Sequence, residues 1–176
     1  MKKCIWLTGR SGAGKTTLAL ATKELLDSRK ISSVILDGDM LREGLNKDLG
    51  FSKKDRTENI RRLSEISKVL LSQNIIPIIA AITPYNSMRE SARELLSKDY
   101  VEVFVKASFD TCEKRDPKGL YKQFREQKPL EEFDMFETPL YPHIIINTEE
   151  LSIKESVNKI INEVSIHLGF FGGEGI

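Results

Sequence analysis

Gly9-Arg10-Ser11-Gly12-Ala13-Gly14-Lys15-Thr16 is the stretch on which the reading of this chain turns. The octet satisfies the pattern G-x-x-x-x-G-K-S/T in full, and its surroundings suit it. An apolar run over 4–7 reads as a buried strand ending at Thr8-Gly9, and a helical pattern over about 15–28 follows. Glycines at these places let successive backbone N–H groups turn inward around phosphate oxygens, and a helix N-terminus adds partial positive charge. Gly9, Ser11, Gly12, Ala13, Gly14, Lys15, Thr16 and Thr17 are therefore the candidate residues for the phosphates of ATP. Lys15 is expected to bridge the β- and γ-phosphates as part of the catalytic apparatus, and Thr16 to hold Mg2+.

Working outward, apolar runs over 34–36, 75–82, 101–105 and 144–146 read as four further strands. Continuous runs of this kind suit strands covered on both faces. Helical patterns lie between them at about 53–72, 87–96, 109–115 and 152–168, the last with Val157, Ile160, Ile161, Val164 and Leu168 on one stripe. Alternating strand and helix imply a parallel sheet with right-handed crossovers. The expectation is an α/β chain with the P-loop NTPase three-layer fold, a parallel five-stranded sheet with helices on both faces. No linker, repeat or low-complexity stretch divides it, so 1–176 is expected to form one domain. The polar segment 116–142, with Pro117, Pro129, Pro139 and Pro142, sits where a lid belongs, and the glycine-rich tail 169–176 is expected to be loose.

Totals narrow the function classes. In 176 residues, 27 Lys and Arg balance 26 Asp and Glu, so net charge gives no reason to expect nucleic-acid or membrane binding. The two cysteines, Cys4 and Cys112, lack the spacing of a zinc site or a disulfide framework. The N-terminal apolar run is too short for a signal peptide and none later could span a bilayer, which points to a cytoplasmic protein. Trp6 reads as core, and His143 and His167 as structural.

A phosphate loop alone does not define a kinase, because GTPases and motors share it. A GTPase should carry N-K-x-D after a later strand; Asn46-Lys47-Asp48 is misspaced and too early. A motor is normally larger. Small size and a polar lid favour a small-molecule kinase. Asp37-Gly38-Asp39 ends the second strand, on the side where parallel sheets place ligands. A carboxylate there can orient an acceptor hydroxyl and take its proton, or help hold the metal, and Asp39 is the better candidate. The Asp-Gly pair alone also fits an ordinary turn. Arg42 and the run Asp55-Arg56-Thr57-Glu58-Asn59-Ile60-Arg61-Arg62 offer guanidinium groups to phosphates. The plainer alternative is a solvated helix face with Glu58 and Arg62 paired at i,i+4.

Several long stretches in the same order resemble the adenylylsulfate (APS) kinase family. They are Trp6 to Gly9 with the octet, Leu36-Asp37-Gly38-Asp39, the run 44–52, Asp55-Arg56 with 58–62, and 115–122. The resemblance implies transfer of the ATP γ-phosphate to the 3′-hydroxyl of a 5′-modified nucleotide. It implies Asp39 as the catalytic carboxylate, and Arg42, Arg56 and Asn59 as acceptor-binding residues. Phe51 maps to an aromatic that stacks on the acceptor base, and Ile82 and Thr83 fall in the family's acceptor-side motif. Lys118, Gly119 and Leu120 map to the lid over the acceptor, and Arg115 to a residue near the ATP adenine. The related kinases are commonly homodimers.

Departures cluster on the acceptor side. Where the family reads F-I-S-P-Y-R, this chain has Ala81-Ile82-Thr83-Pro84-Tyr85-Asn86, and the family's F-T-G-I-D-x-P-Y-E is replaced by PLEEFDMFETPLYP over 129–142. Phe133 or Phe136 could supply the aromatic that the lid otherwise lacks. These changes favour cytidine diphosphoramidate as acceptor, as in the APS kinase-like enzymes of bacterial capsule pathways, with adenylylsulfate as the alternative. Rival readings are a kinase of another metabolite, an ATP-binding regulatory module and a structural protein.

Overall fold

The computed structural model describes residues 2–117, 119–127 and 135–167. Lys118, Phe133, Leu168 and the tail 169–176 lie outside the described residues.

Five strands, β1 Cys4–Thr8, β2 Ser33–Asp37, β3 Ile76–Ala80, β4 Tyr100–Lys106 and β5 Ile144–Asn147, form one sheet in the order β2-β3-β1-β4-β5. Every pairing is parallel, with Leu7 beside Ala80 and Asp37 beside the same Ala80. The carboxyl ends of β1, β2 and β3 therefore finish side by side, and the loops leaving them share one rim of the sheet. Helices α1 Lys15–Ser28, α2 Gly38–Arg42, α3 Lys53–Ser72, α4 Asn86–Leu96, α5 Phe109–Arg115, α6 Leu120–Gln127 and α7 Ile153–His167 fill the connections.

The period of two along each strand sorts its side chains between two cores. Ile5 and Leu7 of β1 join Ile78 of β3, Val101, Val103 and Val105 of β4, Leu18 of α1 and the stripe Val157, Ile160, Ile161 and Val164 of α7. Cys4 and Trp6 face the other way, against Ile79, Ile60 and Leu63 of α3 and Met88, Ala92 and Leu96 of α4. The sheet is thus sandwiched by α1 and α7 on one side and α3 and α4 on the other. β1 and β3 are buried throughout. The edge strands correct the expectation of full cover: β2 is half-buried at Val34 and Ile35, and Ile145 of β5 is 48% exposed.

Two elements were not expected. The Asp-Gly-Asp turn opens a five-residue helix, α2, because Asp37 accepts from the N–H groups of Asp39 and Met40 and so caps it. Within the polar segment, α6 forms and places Tyr121 in the core, its hydroxyl donating to the carbonyl of Ser11 at 3.0 Å. Both cysteines are free and buried, and burial pushes the Cys4 thiol up to about 12. Among the described residues, no helix is long and apolar enough to cross a membrane.

Candidate active site

A cleft of about 930 Å3 lies along the rim where β1, β2 and β3 end. Its walls come from the octet, from the end of β2 with α2, from the start of α3, from the loop after β3, from Arg115, Pro117 and Leu120, and from Thr148 and Leu151 with the start of α7. Open parallel sheets bind ligands in this place.

The octet forms the floor. Gly12 has φ +76°, and a Cβ there would stand 2.6 Å from the carbonyl oxygen of Cys112, so only glycine lets the loop pass over α5. Gly14 caps α1 with no side-chain bond, which leaves the first N–H groups of that helix directed at the loop. Lys15 is 9% exposed, and its ammonium donates to the carbonyls of Gly9 at 2.8 Å and Arg10 at 2.7 Å. Ser11, Gly12, Gly14, Lys15, Thr16 and Thr17 line the cleft. Gly9 and Ala13 sit behind it: Ala13 is fully buried, and a Cβ on Gly9 would meet the carbonyl oxygen of Val105 at 2.4 Å.

Beside Thr16 stands Asp37. The Thr16 hydroxyl donates to one of its carboxylate oxygens at 2.8 Å, while the other oxygen caps α2. A hydroxyl and a carboxylate are hard oxygen donors, the set that suits Mg2+ completed by phosphate oxygens and water. Asp39 lies two residues on, in the first turn of α2 and on the cleft wall. The sequence reading preferred Asp39 of this pair; the structure gives Asp37 its own place, next to the octet.

At the far end of the cleft from α5, two arginines lie against an aromatic ring. The Arg42 guanidinium lies 4.6 Å from the centre of the Phe51 ring, and that of Arg56 lies 5.5 Å from it. Arg42 donates to the carbonyls of Leu49 and Gly50, and Arg56 to that of Phe51, so both also shape the loop that carries the ring. Phe51 is 67% exposed. Burial lowers the pKa of both guanidinium groups, and the positive charge of Arg42 pushes Arg56 further down. Two crowded cations beside an exposed ring favour an anionic, aromatic partner. Asn59 is buried beneath them and accepts from Asn46 at 2.8 Å. Glu58 bridges Arg61 and Arg62, as the plainer reading of this helix expected, and Arg62 also grips Asp48 through two bonds of 2.7 Å. Those pairs brace the 46–51 loop from outside the cleft.

The loop after β3 closes the same end. Ile82 and Thr83 line the cleft with Ala81 and Pro84. Thr83 holds a left-handed φ of 47°, a strain of about 1–3 kcal/mol for a non-glycine residue. Its hydroxyl accepts from the Trp6 indole at 3.0 Å.

Arg115 and Leu120 reach the cleft from the other end. Arg115 donates to the hydroxyl and the carbonyl of Thr148 and to the carbonyl of Gly12. Gly119 adopts φ +64° and does not line the cleft, and Lys118 lies outside the described residues. Phe136 does not line it: the ring is stacked on Phe104 at 6.0 Å with the Arg10 and Arg89 guanidinium groups over it at 5.3 and 5.4 Å, while Phe133 is not described. Sequence reasoning gave Asp37 no role beside Asp39, although both line the cleft and Asp37 bonds Thr16. It also missed Thr148, whose position after the carboxyl end of β5 was the available clue.

The family model for adenylylsulphate kinase matches residues 1–147. An adenylyl-sulfate kinase of Oceanobacillus iheyensis is 48% identical over 162 residues, covering 90% of this chain and 81% of its own. One from Bacteroides thetaiotaomicron is 46% identical over 165 residues, covering 91% and 82%. Among solved structures, the Mycobacterium tuberculosis APS kinase in complex with AMPPNP and APS superposes with a TM-score of 0.85 at 36% identity, covering 93% of this chain and 98% of that one. A gluconokinase from Sinorhizobium meliloti, at 17% identity and a TM-score of 0.65, shares the fold alone. With a family match over most of its length and relatives this similar, the chain belongs to the adenylylsulphate kinase family and is a phosphotransferase.

Proposed function

We propose that this chain transfers the γ-phosphate of ATP to the 3′-hydroxyl of adenylylsulfate. The observation that carries the reading is the Arg42–Phe51–Arg56 corner on the same cleft as the octet and Asp39. A 5′-modified nucleotide offers a base to stack on Phe51 and an anionic group for the two guanidinium groups. The relatives that are adenylyl-sulfate kinases support adenylylsulfate as that nucleotide. They give no support to the cytidine diphosphoramidate that the altered lid sequence favours.

Each residue then has a chemical task. Lys15 and the N–H groups opening α1 hold the transferring phosphoryl group and its growing charge. Asp39 orients the 3′-hydroxyl and takes its proton as the oxygen bonds to the γ-phosphorus and the bond to the β-phosphate oxygen breaks, leaving ADP. Thr16 and Asp37 would hold Mg2+, which when bound neutralises phosphate charge. Arg115 and Thr148 form the wall for the donor base. A lid over 116–142, the cytoplasm as compartment and a homodimer as working unit belong to the same proposal; light scattering tests the last.

A second reading rests on Ala81 and Asn86. Ala81 is a small residue on the acceptor wall, and the Asn86 carboxamide is taken up by Arg89. A different base could fit there, and cytidine diphosphoramidate is that alternative. A coupled ATP-consumption assay with the two acceptors side by side separates them. Adenylylsulfate should win in kcat/KM by about tenfold or more, roughly 1.4 kcal/mol in the transition state. The reverse preference refutes adenylylsulfate and favours the capsule-type acceptor.

A further inference from the structure

The strap that follows 128–134 is fastened to the loop after β3 by a set of bonds centred on Glu137 and Arg89, neither of which lines the cleft. The N–H of Glu137 donates to the carbonyl of Pro84 at 2.8 Å. Its carboxylate accepts from the N–H of Asn86 at 2.6 Å, and its carbonyl accepts from Arg89 at 2.6 Å. The same guanidinium donates to the carbonyl of Thr83, the strained residue on the cleft wall, and to the Asn86 carboxamide. Tyr85 adds a contact from its hydroxyl to the sulfur of Met135.

These bonds answer a local need. Tyr85 precedes α4 without offering a side-chain cap, and the Glu137 carboxylate supplies one from the strap, at the end of the helix that favours negative charge. Arg89 is 3% exposed and is held from behind by Glu102, which is buried and also bonded to Arg93 at 2.7 Å. Two fixed anchors thus meet at one loop. On its cleft side, that loop stands against the acceptor machinery: Ala81 is where a Cβ on Gly38 would touch at 3.4 Å, and Lys53 at the start of α3 lies over the Tyr85 ring at 4.8 Å.

We infer that Glu137 and Arg89 are positioning residues that clasp the strap to the loop 81–86 and thereby set the affinity for the acceptor. The inference rests on the reading above that the acceptor occupies the Arg42–Phe51–Arg56 end of the cleft. Neither residue lines the cleft, so neither touches substrate. Without the carboxylate, the first N–H of α4 loses its partner, the strap loses one of the four ties named above, and the Thr83 carbonyl wall is free to relax. The donor side meets this unit through the bond from the Gly9 N–H to the Ile82 carbonyl at 3.4 Å and the Arg10 guanidinium over the Phe136 ring at 5.3 Å, contacts that Glu137 does not make, so it should respond much less.

Glu137 is exposed, so its variants should fold. The test compares Glu137→Ala, Glu137→Gln and Arg89→Lys in steady-state kinetics on whichever nucleotide the wild-type chain phosphorylates, and in amide hydrogen exchange. Glu137→Ala should raise the acceptor KM about tenfold, the scale of one charge-assisted hydrogen bond, with the ATP KM within about twofold of wild type. Glu137→Gln should restore the acceptor KM to within about threefold, because its amide oxygen can still accept from Asn86. Arg89→Lys, which loses the planar fork, should follow Glu137→Ala. Asn86 amide protection should fall about tenfold in Glu137→Ala and be kept in Glu137→Gln. An acceptor KM that stays at the wild-type value, or one that rises in step with the ATP KM, overturns the clasp. So does unchanged Asn86 protection, which is read without any acceptor. Wild-type protein that phosphorylates neither nucleotide would instead sink the proposed function, leaving the exchange result to decide the clasp.

Discussion

The hydroxyl of Thr16 and the carboxylate of Asp37 meet at 2.8 Å, which joins the first turn of α1 to the end of β2. The other carboxylate oxygen caps the helix that carries Asp39. One side chain therefore spaces the phosphate loop from the proposed catalytic carboxylate. Asp37→Ala should lower kcat/KM by about 10²-fold or more, the scale of losing one preorganised charge contact, and shift the Mg2+ titration of activity to higher concentration. It should also cost about 1 kcal/mol of stability through the lost cap. Activity titrations with Mg2+ at fixed ATP check this; an unshifted titration would remove Asp37 from the metal.

Asp39 has the separate task of taking the acceptor's proton. Asp39→Asn should cut kcat by about 10²-fold while thermal stability is kept, on the scale of general acid–base effects. Stopped-time assays at saturating ATP and acceptor measure it. Near-normal turnover would assign the proton elsewhere.

The octet's geometry makes a third expectation. Gly12→Ala puts a Cβ 2.6 Å from the Cys112 carbonyl oxygen in a left-handed residue. The loop must shift off α5, so ATP affinity measured by calorimetry should drop by about tenfold or more, with a stability loss of about 1–3 kcal/mol. Unchanged affinity would mean that the loop tolerates displacement.

Acid should loosen the brace behind the acceptor corner. Hydrogen bonds from Arg61, then Arg62, hold the Glu58 carboxyl at about 2 against an ordinary 4.5. A carboxyl depressed on folding stabilises fully above its unfolded value and stops doing so as pH falls through its folded one. The Tm difference between wild type and Glu58→Gln should therefore be constant above about pH 5, shrink between about 4.5 and 2, and be reduced throughout by salt, since the pair is exposed. Thermal melts across that range measure it; a pH-independent difference would show that Glu58 acts by packing alone.

Local signals in the sequence were read well where one element decides them. The strand, octet and helix over 4–28 needed only apolar runs and glycine spacing, and α3 and α5 kept their expected bounds. The third strand was read too long: β3 stops at Ala80, and Ala81 and Ile82 are apolar because they wall a cleft, Ala81 also packing in the core that holds Ile60 of α3, while the Ala81 N–H and the Ile82 carbonyl still bond to Leu7 and Gly9. α2 was hidden because aspartate and glycine also make turns, and only the Asp37 cap turns them into a helix. Contacts between distant stretches were not legible at all. Nothing local in Glu137 announces that it caps a helix 51 residues earlier, and nothing in Phe136 says that it stacks on Phe104 and does not line the cleft.

The central claim is transfer to a nucleotide 3′-hydroxyl, and the position of the new phosphate tests it most directly. The chain is incubated with ATP, Mg2+ and adenylylsulfate, and the product is examined by phosphorus NMR coupled to the ribose protons. The account predicts one new phosphate on the 3′-oxygen for each ADP formed. Phosphate at any other position, or ADP without a phosphorylated nucleotide, would contradict it.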